Sequence, residues 1–194
     1  IWYDQSGNGN DISQTSSDAD QPQIVDNGAV ITDGGNPAVK FNASEFLDVS
    51  SGEIDSQAQF LVVNVTDTAS GSRAIMGRKS DTEAFFLFFF GDDENYKCNC
   101  TPNTFGDSIQ EGSTVIFLID RDGSNNTKMF EDNTQTGVTK TNVTGDFSFQ
   151  RLGARNGVND PFIGTMSEIL MFSGDHSADR ETITLELNAY YGAF

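Results

Sequence analysis

The sequence is poor in positive charge, and this shortage narrows the class of partner. Eleven Lys and Arg residues stand against 29 Asp and Glu residues, which gives the 194-residue chain a formal net charge of −18. Such a surface repels phosphate groups, which argues against nucleic acid and anionic membrane surfaces as partners. The excess of carboxylates is compatible with cation binding, with high solubility or with a salty environment.

Long apolar runs and cysteines are also scarce. No stretch approaches the roughly 18 consecutive apolar residues of a membrane-spanning helix, so membrane insertion is not expected. The two cysteines, Cys98 and Cys100, are one residue apart, where a mutual disulfide would be strained. Because His176 is the single histidine, a Cys/His metal centre is not indicated. We interpret both cysteines as small, half-buried residues.

Apolar residues are nevertheless plentiful enough for a packed core, with 16 Phe and 36% hydrophobic residues. They occur in short runs such as "AQFLVVNVT" and "STVIFLID", separated by turns rich in Gly, Asn, Asp and Ser. This pattern predicts an all-β, antiparallel sandwich. We find no internal linker and therefore expect residues 1–194 to form one domain. The chain begins abruptly inside a motif, so we expect it to be a fragment of a larger protein.

One short helix is predicted near the C-terminus. Ser177 is placed as its N-cap and Gly192 as its C-terminal stop. Between them, apolar residues at helical spacing form one stripe: Ile183, Leu187, Tyr190 and Tyr191. We interpret this helix as a structural element that closes the all-β domain.

The opening stretch "WYDQSGNGND" predicts a tight loop, because Gly7 and Gly9 permit positive φ. Its alternating side-chain oxygens are typical of a loop that binds a hard cation. The loop can hold a metal, hold a ligand, or fold on itself through Asx-type hydrogen bonds from Asp4 and Asn10. We favour the self-folded loop and keep metal or ligand binding as the alternative.

Both ends of the chain carry a resemblance to a known family. The segment "WYDQSGNGNDISQ", followed by "QPQIVDNG" and "GNPAVKFN", resembles the opening of bacterial laminin-G-like domains of the concanavalin A-like lectin/glucanase superfamily. The segment "FIGTMSEILMFSGDHSADRETITLELNAYYG" resembles their closing strand and helix. The resemblance implies a jelly-roll sandwich. It does not define an activity, because this fold hosts lectins, adhesin domains, glycosidases and inert spacers.

The enzymatic alternative requires a pair of carboxylates at a defined separation. Glucanases of the superfamily carry Glu-x-Asp-x-(x)-Glu on a strand. Here Glu53 and Asp55 have the first spacing, but Gln57 stands in place of the second Glu. His176 lies in the connection before the helix, and no Ser/His/Asp set is formed. We therefore predict a non-catalytic domain.

Acidic turns are predicted to converge on one rim of the sandwich. If every strand crosses the sandwich and the next one returns, one rim collects the connections 65–73, 91–95, 121–126 and 155–161. The other rim then collects the connections 80–83, 101–113 and 134–142. Converging carboxylates repel one another unless a cation lies among them. The rim therefore predicts a Ca²⁺ site, as in many laminin-G-like domains.

The candidate site residues follow from this rim. The predicted metal ligands are Asp92, Asp93, Asp120, Asp122 and Asp160. Hydrogen bonds and a stacking face for the ligand are predicted from Arg78, Tyr96, Arg155, Asn156 and Asn159. In this arrangement the Ca²⁺ bridges protein carboxylates to sugar hydroxyls or to a ligand carboxylate.

The sequence therefore predicts a non-catalytic recognition module of an extracellular bacterial protein, monomeric and part of a multidomain chain. Its expected ligand is a carbohydrate or another cell-surface ligand, bound with the help of Ca²⁺ in the manner of an adhesin. Three alternatives remain open: a glycan-active enzyme, a spacer without a ligand, and a Ca²⁺-dependent adhesin domain that binds a peptide.

Overall fold

The structure is a computed structural model that describes residues 1–67, 73–79, 88–90, 95–98, 104–108, 110–144, 147–155 and 159–194. Its strands, in chain order, are β1 (Ile12–Ser13), β2 (Val25–Asp26), β3 (Ala29–Val30), β4 (Thr32–Asp33), β5 (Asn36–Pro37), β6 (Val39–Phe41), β7 (Leu47–Val49), β8 (Ile54–Ser56), β9 (Ala58–Val65), β10 (Arg73–Gly77), β11 (Phe88–Phe90), β12 (Asn95–Cys98), β13 (Thr104–Ser108), β14 (Thr114–Arg121), β15 (Thr127–Glu131), β16 (Thr134–Lys140), β17 (Phe147–Phe149), β18 (Arg151–Leu152) and β19 (Gly164–Phe172). A short 3₁₀ turn covers Asp18–Asp20, and one α-helix, α1, spans Arg180–Tyr191.

Two antiparallel sheets form the layers of the domain. The seven-stranded sheet has the order β1-β7-β18-β10-β11-β12-β13, and the six-stranded sheet has the order β16-β15-β14-β9-β19-β6. Three small antiparallel pairs, β17-β8, β2-β3 and β4-β5, lie outside them. The predicted antiparallel sandwich is confirmed.

The main core lies between the two sheets. Along β9, Leu61 and Val63 point into this core, while Phe60 and Val62 belong to a second cluster on the other face of the same strand. Both faces are fully buried, which explains why "AQFLVVNVT" is apolar without alternation. The largest buried side chains of the main core are Phe41, Phe117, Phe147, Phe162 and Tyr96.

Helix α1 covers the outer face of the six-stranded sheet. Leu187 is buried there, and Ile183 and Tyr191 pack against the same cluster, as the predicted stripe requires. Tyr190 does not belong to the buried stripe, because its side chain is 67% exposed. Gly192 ends the helix in the left-handed conformation, as predicted.

The start of the helix differs from the prediction. The N-cap is Asp179, without a side-chain capping bond, and Ser177 lies before it. The Ser177 amide instead donates a hydrogen bond of 2.9 Å to Asp175 Oδ1. A local Asx turn therefore takes the place of the expected cap. None of the described helical residues form a segment with the length and hydrophobicity that a bilayer crossing requires.

The register defines two ends of the six-stranded sheet. Val65 lies opposite Gly164, and the neighbouring Asn64 lies opposite Thr114, at what we call the Val65 end. Ala58 lies opposite both Asp120 and Phe172 at the Ala58 end. Seven residues of extended strand separate Ala58 from Val65, a distance of about 23 Å. The position of every acidic turn can be stated relative to these ends.

Two strands that the sequence does not signal change the alternation of the turns. β13 lies inside the connection 101–113, and β16 lies inside the connection 134–142, both of which were predicted to be single loops. β13 adds one crossing of the sandwich before the turn 121–126 and so moves this turn to the end opposite to the predicted one. β16 adds a second crossing, which returns the connection 155–161 to its predicted end. The predicted common rim is therefore wrong for the turn 121–126, which lies at the Ala58 end, whereas the connection 155–161 begins and ends at the Val65 end.

Candidate functional site

The turn between β14 and β15 is held together by its own carboxylate. Asp122 Oδ1 accepts hydrogen bonds of 2.9 Å from the amides of Ser124 and Asn126, and its Oδ2 accepts one of 2.9 Å from Asn126 Nδ2. These bonds, chiefly the one from the Asn126 side chain, lower the pKa of Asp122. The calcium-like spacing of this turn thus serves an Asx-type fold.

Asp120 is the buried acid beside this turn. Its side chain is 3% exposed, and its Oδ1 has no hydrogen-bond partner among the described residues. Burial, reinforced by the charges of Asp175 and Asp122, raises the pKa of Asp120 to about 6. Lys128 and Arg180 oppose this rise without cancelling it. The ionised form of Asp120 therefore destabilises the folded state.

Asp160 lies at the other end of the sandwich. Its carbonyl accepts a hydrogen bond of 2.7 Å from the Ala74 amide, and its carboxylate pairs with Arg155. The Arg155 and Asn159 backbones also bond to each other, at 3.1 and 3.0 Å, and close the turn that contains them. The structure therefore groups Asp160, Arg155 and Asn159 at the Val65 end and separates them from Asp120 and Asp122.

Two further residues that were predicted to bind the ligand contact other residues of the protein instead. Arg78 forms an ion pair with Glu53, next to β8. Tyr96 is 2% exposed and stacks on Phe117, with a centroid separation of 4.2 Å. Burial and the neighbouring Glu131 raise the pKa of Tyr96 well above its usual value. Tyr96 therefore belongs to the core and offers no face to a ligand.

The remaining predicted residues, Asp92, Asp93 and Asn156, lie outside the described residues. Within the part of the chain that the structure describes, no three His, Cys, Asp or Glu side chains are grouped so that they could hold a metal ion. Binding of Ca²⁺ by the predicted carboxylates stays a prediction.

The opening loop folds on itself in the way that the sequence indicates. Asp4 Oδ1 accepts a hydrogen bond of 2.7 Å from the Ser6 amide, and its Oδ2 accepts one of 2.9 Å from the Asn10 amide. Asp11 Oδ1 in turn accepts a 2.9 Å bond from the Asp4 amide. The bonds from Ser6 and Asn10 lower the pKa of Asp4.

Asn10 has a different role from the predicted one. Its Oδ1 accepts a hydrogen bond of 3.1 Å from Ser51 Oγ and so ties the loop to the segment after β7. At the base of the loop, Trp2 and Ile12 exchange backbone hydrogen bonds of 2.8 and 3.0 Å. The loop is thus held as a hairpin by its own hydrogen bonds, and Trp2 and Tyr3 lie at its base.

A cleft of about 550 Å³ lies between this loop and the end of β19. It falls within the size range of small-ligand sites. The opening segment contributes Trp2, Tyr3, Asp4, Gln5, Ser6, Asn8, Asn10 and Ile12. The other walls are Glu53, Ile54, Asp55, Phe149, Leu152, Glu168, Ile169, Leu170, Met171, Phe172 and Ser173.

Strand pairing explains why the cleft is open on one side. β6 pairs with β19 only from Gly164 to Met166, whereas β9 pairs with β19 as far as Phe172. Beyond Met166, no described strand covers the β6 side of β19. The opening loop stands beside this free edge and leaves the cleft between them.

Several carboxylates face the cleft. Burial raises the pKa of Glu53, but hydrogen bonds from Arg78, Ser148 and Gln150 outweigh it and lower this pKa below its usual value. Glu168 Oε2 accepts a hydrogen bond of 3.0 Å from the Tyr191 hydroxyl of α1. Asp4 and Glu53 are ionised at neutral pH, and neither can act as a protonated general acid there.

Sequence reasoning found only part of this cleft. The opening loop was considered as a holder of a metal or a ligand because of its row of side-chain oxygens, although the self-folded loop was favoured. Glu53 and Asp55 were considered as a catalytic pair and set aside. Nothing in the sequence connects these segments to Glu168 or Phe172, because more than a hundred residues separate β8 from β19.

Comparison of sequences identifies no relative: no protein-family model matches the chain, and no curated protein matches it. Solved structures do match. The binding domain of botulinum neurotoxin serotype D has a TM-score of 0.60 at 12% identity, with 98% of this chain and 48% of that chain covered. The binding domain of Paraclostridial Mosquitocidal Protein 1 has a TM-score of 0.56 at 12% identity, with coverages of 97% and 49%.

A third matched structure is a smaller module, which aligns with less of this chain but over more of the module's own length. The carbohydrate-binding module CBM40 of the Ruminococcus gnavus IT-sialidase, bound to α2,3 sialyllactose, has a TM-score of 0.51 at 14% identity, with 67% of this chain and 83% of that chain covered. The present chain thus spans about half the length of the matched toxin domains and most of the length of the module. At these identities the likeness shows the fold, which is the concanavalin A-like β-sandwich with one C-terminal helix.

Proposed function

We propose that this domain is a non-catalytic carbohydrate-binding module and that the cleft between the opening loop and β19 is its binding site. The observation that carries the proposal is the composition of the cleft. Aromatic side chains that are at least partly exposed (Trp2, Tyr3 and Phe172) stand among amide and carboxylate side chains. A sugar ring presents apolar C–H faces and a belt of hydroxyls, and this mixture of groups complements both.

Tyr3 is the residue best placed to receive a ligand. Its side chain is 61% exposed, although it is aromatic and lines the cleft. Trp2 beside it is half-buried and packs against the main core. An exposed ring on a fixed base gains contact area when a ligand covers it and loses little conformational freedom.

The opening loop is suited to recognition because it is already ordered. The carboxylates of Asp4 and Asp11 hold its amides, and Ser51 holds Asn10. The cost of ordering a loop on binding is therefore avoided. The side-chain amide of Asn8 lines the cleft and is the group proposed to bond to sugar hydroxyls. The Gln5 side-chain amide donates a hydrogen bond of 3.2 Å to the Tyr3 carbonyl.

Two of the carboxylates of the cleft are unsuited to general acid catalysis. Retaining and inverting glycosidases both need one carboxylic acid that stays protonated near the working pH. Glu53 is held in its ionised form by Arg78, and the pKa of Asp4 is lowered as well. The role proposed for these carboxylates is to accept hydrogen bonds from sugar hydroxyls.

Solved structures support this class of function without defining a ligand. The matched proteins include a carbohydrate-binding module bound to sialyllactose and two toxin binding domains. By analogy, we place the domain in an extracellular protein that recognises a cell-surface glycan. The adhesin role, the monomeric state and the multidomain parent remain predictions from the sequence.

A glycan array tests the proposal directly. The labelled domain is applied to an array of neutral and sialylated oligosaccharides, and retained structures are confirmed by calorimetric titration. We expect saturable binding of at least one oligosaccharide in the range of weak to moderate affinity. An array on which no oligosaccharide is retained, with the domain shown to be folded by circular dichroism, would overturn the proposal.

Participation of Ca²⁺ is a separate proposal that rests on the sequence. Its test is a thermal melt of the domain in EDTA and in millimolar CaCl₂. A midpoint that falls in EDTA would support a bound Ca²⁺. An unchanged midpoint would remove Ca²⁺ from the proposed function and leave carbohydrate binding in the cleft intact.

A further inference from the structure

The inner part of the cleft is apolar. Ile54, Ile169 and Met171 pack against the main core between the two sheets, yet each stays partly exposed and lines the cleft. We call these three side chains the apolar floor. Phe149 and Leu152, which are almost fully buried, also line the cleft, and Phe149 lies opposite Ile54 in the β17-β8 pair. The cleft therefore reaches from the surface to the edge of the core.

The free edge of β19 exposes this floor. Ile169 and Met171 follow Met166, the last residue of β19 that pairs with β6. Alternate side chains of a strand point to opposite faces, so these two point toward the main core while Leu170 and Phe172 pack against the second cluster. No described strand lies along this part of β19 on the β6 side. The apolar side chains at this edge are therefore open to the cleft.

The outer part of the cleft differs from the floor because the opening loop forms it. This loop presents the ring of Tyr3, which is 61% exposed, and the side-chain amide of Asn8. A sugar can stack and form hydrogen bonds there. Sugar hydroxyls laid against the apolar floor would instead lose water without receiving a hydrogen bond from its side chains. The two parts of the cleft thus suit two different parts of a ligand.

The size of the cleft fits a ligand with two such parts. Its volume of about 550 Å³ lies in the range of sites that enclose a drug-sized molecule, and a single sugar ring does not fill it. An alkyl or aryl group attached to the sugar would occupy the remaining space and cover the apolar floor. Its burial is favourable roughly in proportion to the apolar area that leaves water.

We propose that the cleft binds glycosides with an apolar aglycone, whose sugar contacts Tyr3 and Asn8 and whose aglycone covers the apolar floor of Ile54, Ile169 and Met171. This inference rests on the proposed carbohydrate-binding function and names the ligand class for the same cleft. The sugar contacts supply recognition of the glycan, and the aglycone adds affinity. Alkyl chains and aryl rings share the required chemistry, so the experiment has an arm for each.

A series of glycosides with one sugar and different aglycones tests the inference. The oligosaccharide that the glycan array retains is prepared as its methyl, octyl and phenyl glycosides in both anomeric forms, and each is titrated by calorimetry below its micelle concentration. We expect the octyl or the phenyl glycoside of one anomer to bind at least about tenfold more tightly than the methyl glycoside. The larger of the two gains shows whether the floor prefers a chain or a ring.

A chain of the same length as octyl, interrupted by ether oxygens, is the control for chain length and should bind like the methyl glycoside. Equal affinities of the methyl, octyl and phenyl glycosides would overturn the inference. An ether chain that increases affinity as much as the octyl chain would overturn it as well.

Substitutions in the apolar floor locate the effect. Met171→Gln keeps the length of its side chain and makes it polar, and Ile169→Thr keeps the β-branch of a second, independent position. Each should lower the ratio of the octyl to the methyl affinity several-fold, with folding checked by circular dichroism. Ile24→Thr is the matched control and should leave this ratio unchanged, because Ile24 is 61% exposed and does not line the cleft.

The two levels of the proposal fail differently. If no oligosaccharide binds, the carbohydrate-binding function is wrong and the inference is wrong with it. If sugars bind but the aglycone changes nothing, or if Ile24→Thr alters the ratio as much as Ile169→Thr does, carbohydrate binding stands and the role of the apolar floor is wrong.

Discussion

Two oxygen-rich segments of this chain share one local structure and differ in their surroundings. In the opening loop, Asp4 accepts the amide of Ser6, two residues on, and in the β14–β15 turn Asp122 accepts the amide of Ser124 in the same way. Both segments have the spacing of a calcium loop, and both use their carboxylates to bind their own amides. The local sequence determines this fold in each case.

Their neighbours are what distinguish them. The opening loop stands beside Tyr3, Trp2 and the free edge of β19, and so forms the wall of a cleft. The β14–β15 turn stands over Asp120, a buried carboxyl with one oxygen that has no hydrogen-bond partner in the described part of the chain. Function therefore depends on which distant strands a loop meets, and the loop pattern alone does not report it.

The largest effect is expected on the stability of the fold, from a substitution of Asp120 beside the β14–β15 turn. Asp120→Asn removes a carboxyl whose pKa is raised to about 6 in the folded state, against 3.8 as the ordinary value. Because the folded state binds the proton more tightly, the wild type loses stability as the pH rises from about 4 to about 6. The advantage of the variant over the wild type should therefore be about 1–3 kcal/mol larger at pH 7 than at pH 4.

Urea unfolding at these two pH values measures the difference. The expected pattern is a wild type that weakens between pH 4 and pH 7 relative to Asp120→Asn. Parallel behaviour of the two proteins would show that Asp120 is not an electrostatic cost. Glycan binding should be the same in both, since Asp120 does not line the cleft.

A smaller effect is expected from the exposed ring of the cleft. Tyr3→Ala removes the stacking face without opening the core, and we expect the affinity for a retained neutral glycan to fall about tenfold. Tyr190→Ala is the matched control, because Tyr190 is 67% exposed and does not line this cleft. Calorimetry would contradict the assignment if the two variants lost affinity equally.

The smallest effect is expected from substitutions of Asp4 and Asp122, the two carboxylates that accept the amides of their own segments. Asp4→Asn and Asp122→Asn are chemically equivalent changes, each of which replaces one accepting oxygen by a donor that faces another donor. Both should lower the melting midpoint slightly. Only Asp4→Asn should weaken glycan binding, by several-fold, because only Asp4 shapes the cleft. Equal losses of affinity in the two variants would place the site elsewhere.

Much of the fold could be predicted from the sequence because its central strands are apolar on both faces. β9 and β14 are such strands, and their runs mark them clearly. β13 and β16 carry no such signal, because each is the edge strand of its sheet and edge strands are polar. The segment "TQTGVTK" of β16 has one buried residue, Thr136. The missed edge strand β13 was therefore enough to move the 121–126 turn to the opposite end from the one predicted.

The candidate site could be predicted less well for a related reason. Asp160 was correctly expected at a turn. The end of the sandwich at which this turn lies can be predicted only if every strand before it is counted correctly. Tyr96 was read as a ligand-facing ring, although the alternation in β12 places it and Cys98 in the core. The cleft forms only when the opening loop, the residues before β9 and the last strand meet. No local pattern contains that information.

The fluorescence of Trp2 gives the most direct test of the account. It is the single tryptophan of the chain and lines the cleft, so its emission reports on this site alone. Titration with a neutral oligosaccharide retained on the array should change the emission saturably, with the same dissociation constant that calorimetry gives. Calorimetric binding that leaves the emission of Trp2 unchanged would contradict the central claim that glycans bind in this cleft.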